Sequence, residues 1–305
     1  MHHLNPTRVQ FDLLAQADIV GAIPALRGTA LKSQLLKWVG NKQRFANEIV
    51  SFFPSYRRYF EPFVGSGAVL GTLAPKRAVA GDALGPLVEI WRTLVADPNT
   101  LVDWYRAHAD RMKRIGKKQA FDEAKTSYNR KPNGADLLFI SRACYGGIVR
   151  FRERDGAIST PCGVHEPISV DSFRKRVDVW YQRVRATEFV HADFEDVFAD
   201  VRHGDVVYCD PPYSDSQSIL YGAQRFSLPR LFEAIERAKS KGAFVALSID
   251  GSKRSGRHQV PIEIPAGLFQ REERLHCGRS MLRRFQLKGE TLENEHVTDR
   301  LLLTE

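Results

Sequence analysis

The residues best placed to do chemistry are Asp210-Pro-Pro-Tyr213, at the end of the apolar run Val206-Val-Tyr-Cys. A double proline continues neither a helix nor a sheet ladder, so it fixes a rigid turn where the strand stops. Such a turn holds a carboxylate, a proline carbonyl and an aromatic face close together. That trio suits an exocyclic amine, with two acceptors for its hydrogens and a ring to stack on the base. The plainer alternative is an Asp-Pro turn with a packed tyrosine. A second group is Phe60-Glu-Pro-Phe-Val-Gly-Ser-Gly67, with Asp82 fifteen residues further on. Glycines at a strand-to-helix turn let a ligand approach the backbone, and a carboxylate ending the next strand can hold ribose hydroxyls. The spacing Gly65-x-Gly67-x-x-x-Gly71 misses GxGxxG by one residue, which removes the best support for a nicotinamide or flavin site. A third group is Leu36-Lys-Trp-Val-Gly-Asn-Lys42, which could close over a cofactor or touch phosphate. Alone it reads as an exposed turn.

These groups need a sheet to carry them. Arg58 to Gly65 reads as a strand running into a tight turn, with a helix starting near Ala68. Further strands are expected at Arg77 to Asp82, Glu188 to His191, Asp205 to Cys209 and Ala243 to Ile249. Apolar runs of this kind suit a parallel sheet covered by helices on both faces, with ligands beyond the carboxyl ends of the strands. The fold class expected is therefore α/β. Residues 87–130 have helical period, with Trp91, Leu94, Leu101, Trp104 and Tyr105 as core candidates. Asp155-Gly156, between two β-favouring runs, signals a hairpin. The expected organisation is a leader at 1–30, a sheet domain at 31–94 and 181–305, and an inserted lobe at 95–180.

Composition narrows the function classes. Of 305 residues, 43% are hydrophobic and 27% charged, which fits a globular chain rather than a disordered one. A net charge of +9 points to a polyanionic partner. No apolar stretch approaches the roughly eighteen residues of a membrane span. The first residues place Asp, Gln and Arg where a secretory signal needs an apolar core, and a cytoplasmic location is expected. Cys144, Cys162, Cys209 and Cys277 form no CxxC pair, and His191, His203 and His276 show no metal-ligand spacing, so no metal is expected. Cys209 sits in an apolar strand, against a nucleophilic role.

In this order the blocks LKWVGNK, FEPFVGSGAV and DPPY, with the hairpin YGGIVRFRERDGAISTPCG, resemble the Dam-type adenine-N6 DNA methyltransferases from about Leu35 to the C-terminus. The resemblance implies a Rossmann-like S-adenosylmethionine methyltransferase sheet and a mainly helical inserted target-recognition lobe that carries the hairpin. It implies base flipping and direct in-line methyl transfer to adenine N6 in double-stranded DNA. As cofactor contacts it implies Trp38, Lys42, Glu61, Pro62, Phe63, Gly65, Gly67, Asp82, Asp193, Phe194 and Asp210. As the catalytic group it implies Asp210, Pro211, Pro212 and Tyr213. Lys37 and Arg150 stand where the family places base-reading side chains, and Tyr145, Arg142, Arg152 and Arg154 join them as DNA contacts, with Arg174 and Arg176 as further phosphate candidates. The matching hairpin stretches are Gly146-Gly-Ile-Val-Arg150 and Thr160-Pro-Cys-Gly-Val164, which depart from the best-known members and leave the target sequence, GATC or another, open. A nucleoid-associated monomer acting on each strand in turn is expected, oligomeric state and the existence of a cognate restriction endonuclease being left open by the sequence; such an endonuclease would form no stable complex with it. The rival readings are cytosine-N4 transfer, transfer to RNA or to a protein amide, and an inactive DNA-binding relative.

Overall fold

The computed structural model describes residues 31–38, 40–212, 226–253, 258–259, 262–279 and 296–305, with backbone alone at 250–253, 258–259, 276–279 and 296–298. The leader at 1–30 and Tyr213 lie outside the described residues.

Strands β1 (Tyr59–Glu61), β2 (Ala78–Asp82), β3 (Thr187–His191), β4 (Val206–Cys209) and β5 (Phe244–Lys253) pair in parallel, in the spatial order β3-β2-β1-β4-β5. All five stand where the apolar runs predict strands. Their residues alternate between two cores, as a two-fold side-chain period requires. Tyr59, Val206, Tyr208, Phe244 and Ala246 enter one core, and Phe60, Val207, Cys209, Val245 and Leu247 enter the other.

The sheet is not wholly parallel. Strands β6 (His258–Gln259), β7 (Arg271–Arg279) and β8 (His296–Leu303) extend it, β8 antiparallel to both β5 and β7. The sequence reading stops at Ile249 because β7 opens Arg-Glu-Glu-Arg, without an apolar run. An outer strand carries charge readily because its free edge faces solvent. Arg300 on β8 grips Glu272 on β7 with two hydrogen bonds of 2.8 Å, a cross-strand pair that fixes their register.

Helices α1 (Ala46–Ser51), α2 (Ala68–Leu73) and α3 (Gly85–Ala96) lie on the first core's side. The inserted region builds α4 (Pro98–Ile115), α5 (Lys117–Arg130), α6 (Gly134–Ala143) and α7 (Val170–Val184). The second core is closed by α8 (Phe194–Ala199) and α9 (Leu228–Ser240). Trp91, Leu94, Leu101 and Tyr105 are buried as expected, and Trp104 is half-buried. The expected lobe boundaries fall inside α3 and α7, and the lobe's apolar residues share one core with the sheet. No helix among the described residues is long and apolar enough to cross a membrane.

Between α6 and α7 the chain folds back through the bridges Cys144↔Cys162 and Phe151↔Ile158. Arg152 N donates to Ala157 O at 2.9 Å around the Asp155-Gly156 turn, so the predicted hairpin forms. Helix α5 splints it: the Asn129 amide donates to Ile158 O at 3.1 Å and accepts from Ile158 N at 2.7 Å, as a paired strand would.

Candidate active site

Asp82 closes β2, Glu61 closes β1 and Asp210 follows β4, so three adjacent parallel strands deliver three carboxylates to one sheet edge. Strand order reverses between β1 and β4, the place where open α/β sheets leave a crevice. A cavity of about 350 Å³ opens there, and all three residues line it.

The turn after β1 shapes its floor. Gly65 and Gly67 take left-handed backbone angles (φ +46° and +64°), which side chains with a Cβ rarely adopt. Val64 N donates to Gly81 O at 2.8 Å, and Trp91 Nε1 donates to Gly65 O at 3.1 Å, tying the turn to β2 and α3. Gly65 N donates to Asp82 Oδ2 at 3.1 Å and Leu84 N to Asp82 Oδ1 at 3.0 Å. Those bonds aim Asp82, and a carboxylate's remaining lone pairs can still accept hydroxyl hydrogens. Gly67 does not line the cavity. A Cβ there would meet the Trp91 ring at 3.0 Å, so this glycine serves the turn and its packing rather than ligand approach.

Glu61 is 2% exposed and accepts from Tyr59 OH at 2.6 Å. Burial, opposed by that hydrogen bond and helped by the nearby Asp210 charge, pushes its carboxyl up from 4.5 to about 8. Burial also drives the Tyr59 phenol well above its ordinary value, so it stays a donor. Glu61 is therefore a carboxyl poised to ionise when a cation arrives. Asp210 Oδ1 meets Lys42 Nζ at 2.8 Å, and the ammonium also reaches Asp299 Oδ2 at 3.4 Å and Gly40 O at 3.3 Å.

One wall is aromatic. Phe63 stacks on Phe194 at 5.4 Å between centroids, with the Phe226 ring edge-on to Phe63 at 5.7 Å. Trp38 and Pro62 also line the cavity, with Pro211 and Pro212 beside Asp210. Asp193 is a lining residue, but its Oδ1 accepts from Glu195 N at 3.1 Å and pairs with Arg230 at 3.2 Å, so it acts first as the cap of α8. Buried carboxylates, a glycine turn and flat aromatic surfaces together fit a ligand with a cationic centre, vicinal hydroxyls and a planar ring. Among the described residues no group of three or more His, Cys, Asp or Glu could hold a metal ion. Burial raises the Cys209 thiol well above its ordinary value and keeps it protonated.

The block LKWVGNK is not an exposed turn. Leu35 and Leu36 are fully buried, Trp38 is 9% exposed and Lys42 5%. The carbonyls just ahead of it are held by the inserted helices, with Arg142 Nη1 donating to Leu35 O at 2.6 Å, Arg176 to Gln34 O at 2.8 Å and Trp180 Nε1 to Ser33 O at 2.9 Å. This corrects the expectation for Arg142. At 3% exposure, with its guanidinium 5.7 Å from the Phe173 ring centroid, it is a structural clamp and cannot reach DNA. Lys37, by contrast, is exposed and lies against Gly147 in the hairpin. Tyr145 is 38% exposed, and Arg152 and Arg154 are exposed and pair with Asp155 at 2.9 and 3.5 Å. Arg150 is half-buried, its N–H donating to Thr160 Oγ1 at 2.6 Å. Sequence reasoning missed Val149, Tyr208 and Phe226 as lining residues, whereas His191 opens the segment that supplied the expected Asp193 and Phe194. Val149 carries a weaker signal, since it adjoins Arg150 in the hairpin.

Comparison with known proteins agrees with this geometry. The family model for D12 class N6 adenine-specific DNA methyltransferases matches residues 38–250, from Trp38 of the buried N-terminal block through the turn, the hairpin and the Asp210 bend. A type II methyltransferase of Lactococcus lactis subsp. cremoris, M1.LlaDCHI, is 28% identical over 239 residues, 71% of this chain and 80% of the relative. A DNA adenine methylase of Vibrio cholerae is 23% identical over 229 residues, 70% of this chain and 79% of that one. A DNA N-6-adenine-methyltransferase of Escherichia phage P1 is 25% identical over 235 residues, 72% of this chain but 30% of its own length. A family model that covers residues 38–250, and with them the three carboxylates that line the cavity, places this chain in the D12 class of N6 adenine-specific DNA methyltransferases.

Proposed function

We propose that the cavity binds S-adenosylmethionine beside an adenine flipped out of double-stranded DNA, and that Asp210 orients that adenine's N6 amine for methyl transfer. Bound there, S-adenosylmethionine would supply an electrophilic methyl group on a sulfonium. The observation that carries this reading is the convergence of Glu61, Asp82 and Asp210 on one cavity. Glu61 is the group to meet the donor's positive charge, Asp82 its ribose hydroxyls, and the Phe63–Phe194 wall its base. Trp38 and Gly65 close the space around the methionine part. Asp210 and the Pro211 carbonyl accept the two amine hydrogens, which leaves the N6 lone pair directed at the methyl. The Asp210 charge also stabilises the positive charge that develops on N6. Preorganised acceptors of this kind supply acceleration without a covalent intermediate. Tyr213 is assigned, from the resemblance alone, the stacking face for the adenine.

Flipping costs about a few kcal/mol of unpairing and unstacking. Phosphate contacts from Arg152 and Arg154 offset it, while Lys37, Arg150 and Tyr145 face the target sequence. The test is incubation with methyl-labelled S-adenosylmethionine and mixed-sequence duplex DNA, followed by digestion to nucleosides. The expected product is labelled N6-methyladenosine as its deoxynucleoside. Label in N4-methylcytosine, or in RNA or protein instead of DNA, would refute the reading.

A further inference from the structure

The hairpin that carries the expected DNA contacts is joined at its base by two cysteines that the functional reading leaves unused. Cys144 directly follows α6, and Cys162, eighteen residues further on, stands opposite it in an antiparallel bridge. Tyr145 N donates to Pro161 O at 2.9 Å and Gly163 N to Ala143 O at 2.8 Å, one bond on each side of the cysteines. That pattern makes Cys144 and Cys162 a narrow, non-hydrogen-bonded pair, with Cα atoms about 4.5 Å apart and side chains on the same face. Disulfides span Cα separations of roughly 4.4–6.8 Å, so the two thiols are within reach of each other. Gly163 permits the approach, since a Cβ there would lie 2.7 Å from Cys144 O. The stretch that holds Cys162 is also tied to α5, where Lys117 Nζ donates to Val164 O at 2.7 Å. Both thiols are free. Cys144 Sγ lies 3.7 Å from Ser141 O and Cys162 Sγ 3.6 Å from Gly163 O, weak bonds that a side-chain rotation gives up.

We propose that Cys144 and Cys162 form a site for oxidation by a small-molecule disulfide, and that the bond between them locks the base of the hairpin without disturbing the fold. The inference is independent of what the hairpin binds. Cys162 is half-buried and Cys144 5% exposed, so the reagent meets Cys162 first. Burial raises the Cys162 thiol, with Asp122 and Glu166 adding to the shift and Lys117 and Lys118 opposing it. Burial pushes the Cys144 thiol further, up to about 12, which suits it to the second step. The Cys162 thiolate attacks one sulfur of the reagent, and the other half leaves as a thiolate that takes up the proton Cys162 lost. Cys144 then attacks the sulfur of Cys162 and releases the second half, which takes the Cys144 proton. Two cysteine thiols are oxidised to one disulfide, and one reagent disulfide is reduced to two thiols. The loop so closed contains Tyr145, Arg150, Arg152 and Arg154.

For the test, the full chain is equilibrated with oxidised glutathione under native conditions, quenched with an alkylating agent and mapped by mass spectrometry of unreduced peptides. Cys144→Ser and Cys162→Ser are treated alongside. The expected product is a peptide pair linked from Cys144 to Cys162 within one chain, absent from both variants. The melting temperature of the linked chain is expected to rise by about 5 °C, because the bond closes a loop of the unfolded chain, and to fall back on reduction. Neither variant is expected to show that rise. Full alkylation of both cysteines, glutathione retained on Cys162 of the parent, or a link to Cys209, to Cys277 or to a second chain would overturn the proposal. So would a linked chain that melts below the reduced one, since the bond would then distort the native pair. If Cys144→Ser does not fold, Cys162→Ser and the parent decide on the same readouts.

Discussion

At the scale of single residues, the site depends on two carboxyls in different surroundings, Glu61 beside a tyrosine hydroxyl and Asp210 beside an ammonium. Glu61 is buried, with no cation paired to it among the described residues, and is held near 8, whereas an unfolded glutamate titrates near 4.5. A carboxyl raised in this way contributes stability that is fully present below about pH 4.5 and lost as pH rises through about 8. At about 1.4 kcal/mol per pKa unit, the loss is on the order of a few kcal/mol. Glu61→Gln is therefore expected to melt above the parent at pH 8 to 9, the gap closing toward pH 5, in ligand-free melting curves across pH. Asp210→Asn is expected to fold, since Lys42 keeps Asp299 at 3.4 Å, and to lose methyl transfer by about a hundredfold or more, read as label in DNA. Both carboxyls were legible in the sequence because strand ends followed by glycine or proline announce themselves. Arg142 was misread: an arginine among arginines near a hairpin looks solvent-facing, and only tertiary packing reveals that its donors hold the Gln34 and Leu35 carbonyls. Arg142→Ala is expected to lower the melting temperature, by roughly 2–4 kcal/mol of stability, because buried backbone acceptors lose their donor. A change in DNA affinity with unchanged melting would contradict that assignment.

At the scale of elements, the glycine turn and the hairpin do separate jobs. Helix α2 sits close to α7 because Gly71 has no side chain; a Cβ there would lie 2.6 Å from the Trp180 ring. Gly71→Ala is expected to cost about 1–3 kcal/mol of overpacking, seen as a lower denaturant midpoint. The hairpin is held by α5 through Asn129 and presents Arg152 and Arg154 to solvent. If Arg154 contacts a phosphate, Arg154→Ala should weaken binding to all duplex sequences alike and reduce the slope of log affinity against log salt by about 0.9. A changed methylation motif at constant slope would make it a base contact instead. The Asp-Gly turn and the apolar strands could be read directly, because their signals are local. The helix–hairpin splint could not, since Asn129 and Ile158 are 29 residues apart and polar–backbone pairing leaves no periodic trace.

At the scale of the whole molecule, the inserted region and the sheet share one core, with Trp91, Trp180 and Phe139 in the same cluster as Tyr59 and Ala80. The 95–180 segment expressed alone is therefore expected to lack a cooperative melting transition; a folded, independently melting fragment would contradict the shared core. The parallel half of the sheet was readable from its apolar runs, whereas the antiparallel half was not, because its outer strand is charged and its pairing joins segments far apart. That unread half supplies Asp299, whose Oδ2 lies 3.4 Å from Lys42 Nζ. The central claim is that one cavity, at the ends of β2, β1 and β4, presents an adenine amine to a methyl donor through Asp210. Sequencing modified bases in DNA from cells that express the chain, beside cells that express Asp210→Asn, tests it most directly. The account predicts N6-methyladenine within one short motif in the first DNA and none above background in the second. Equal methylation in both, or a modified base other than adenine, would contradict it.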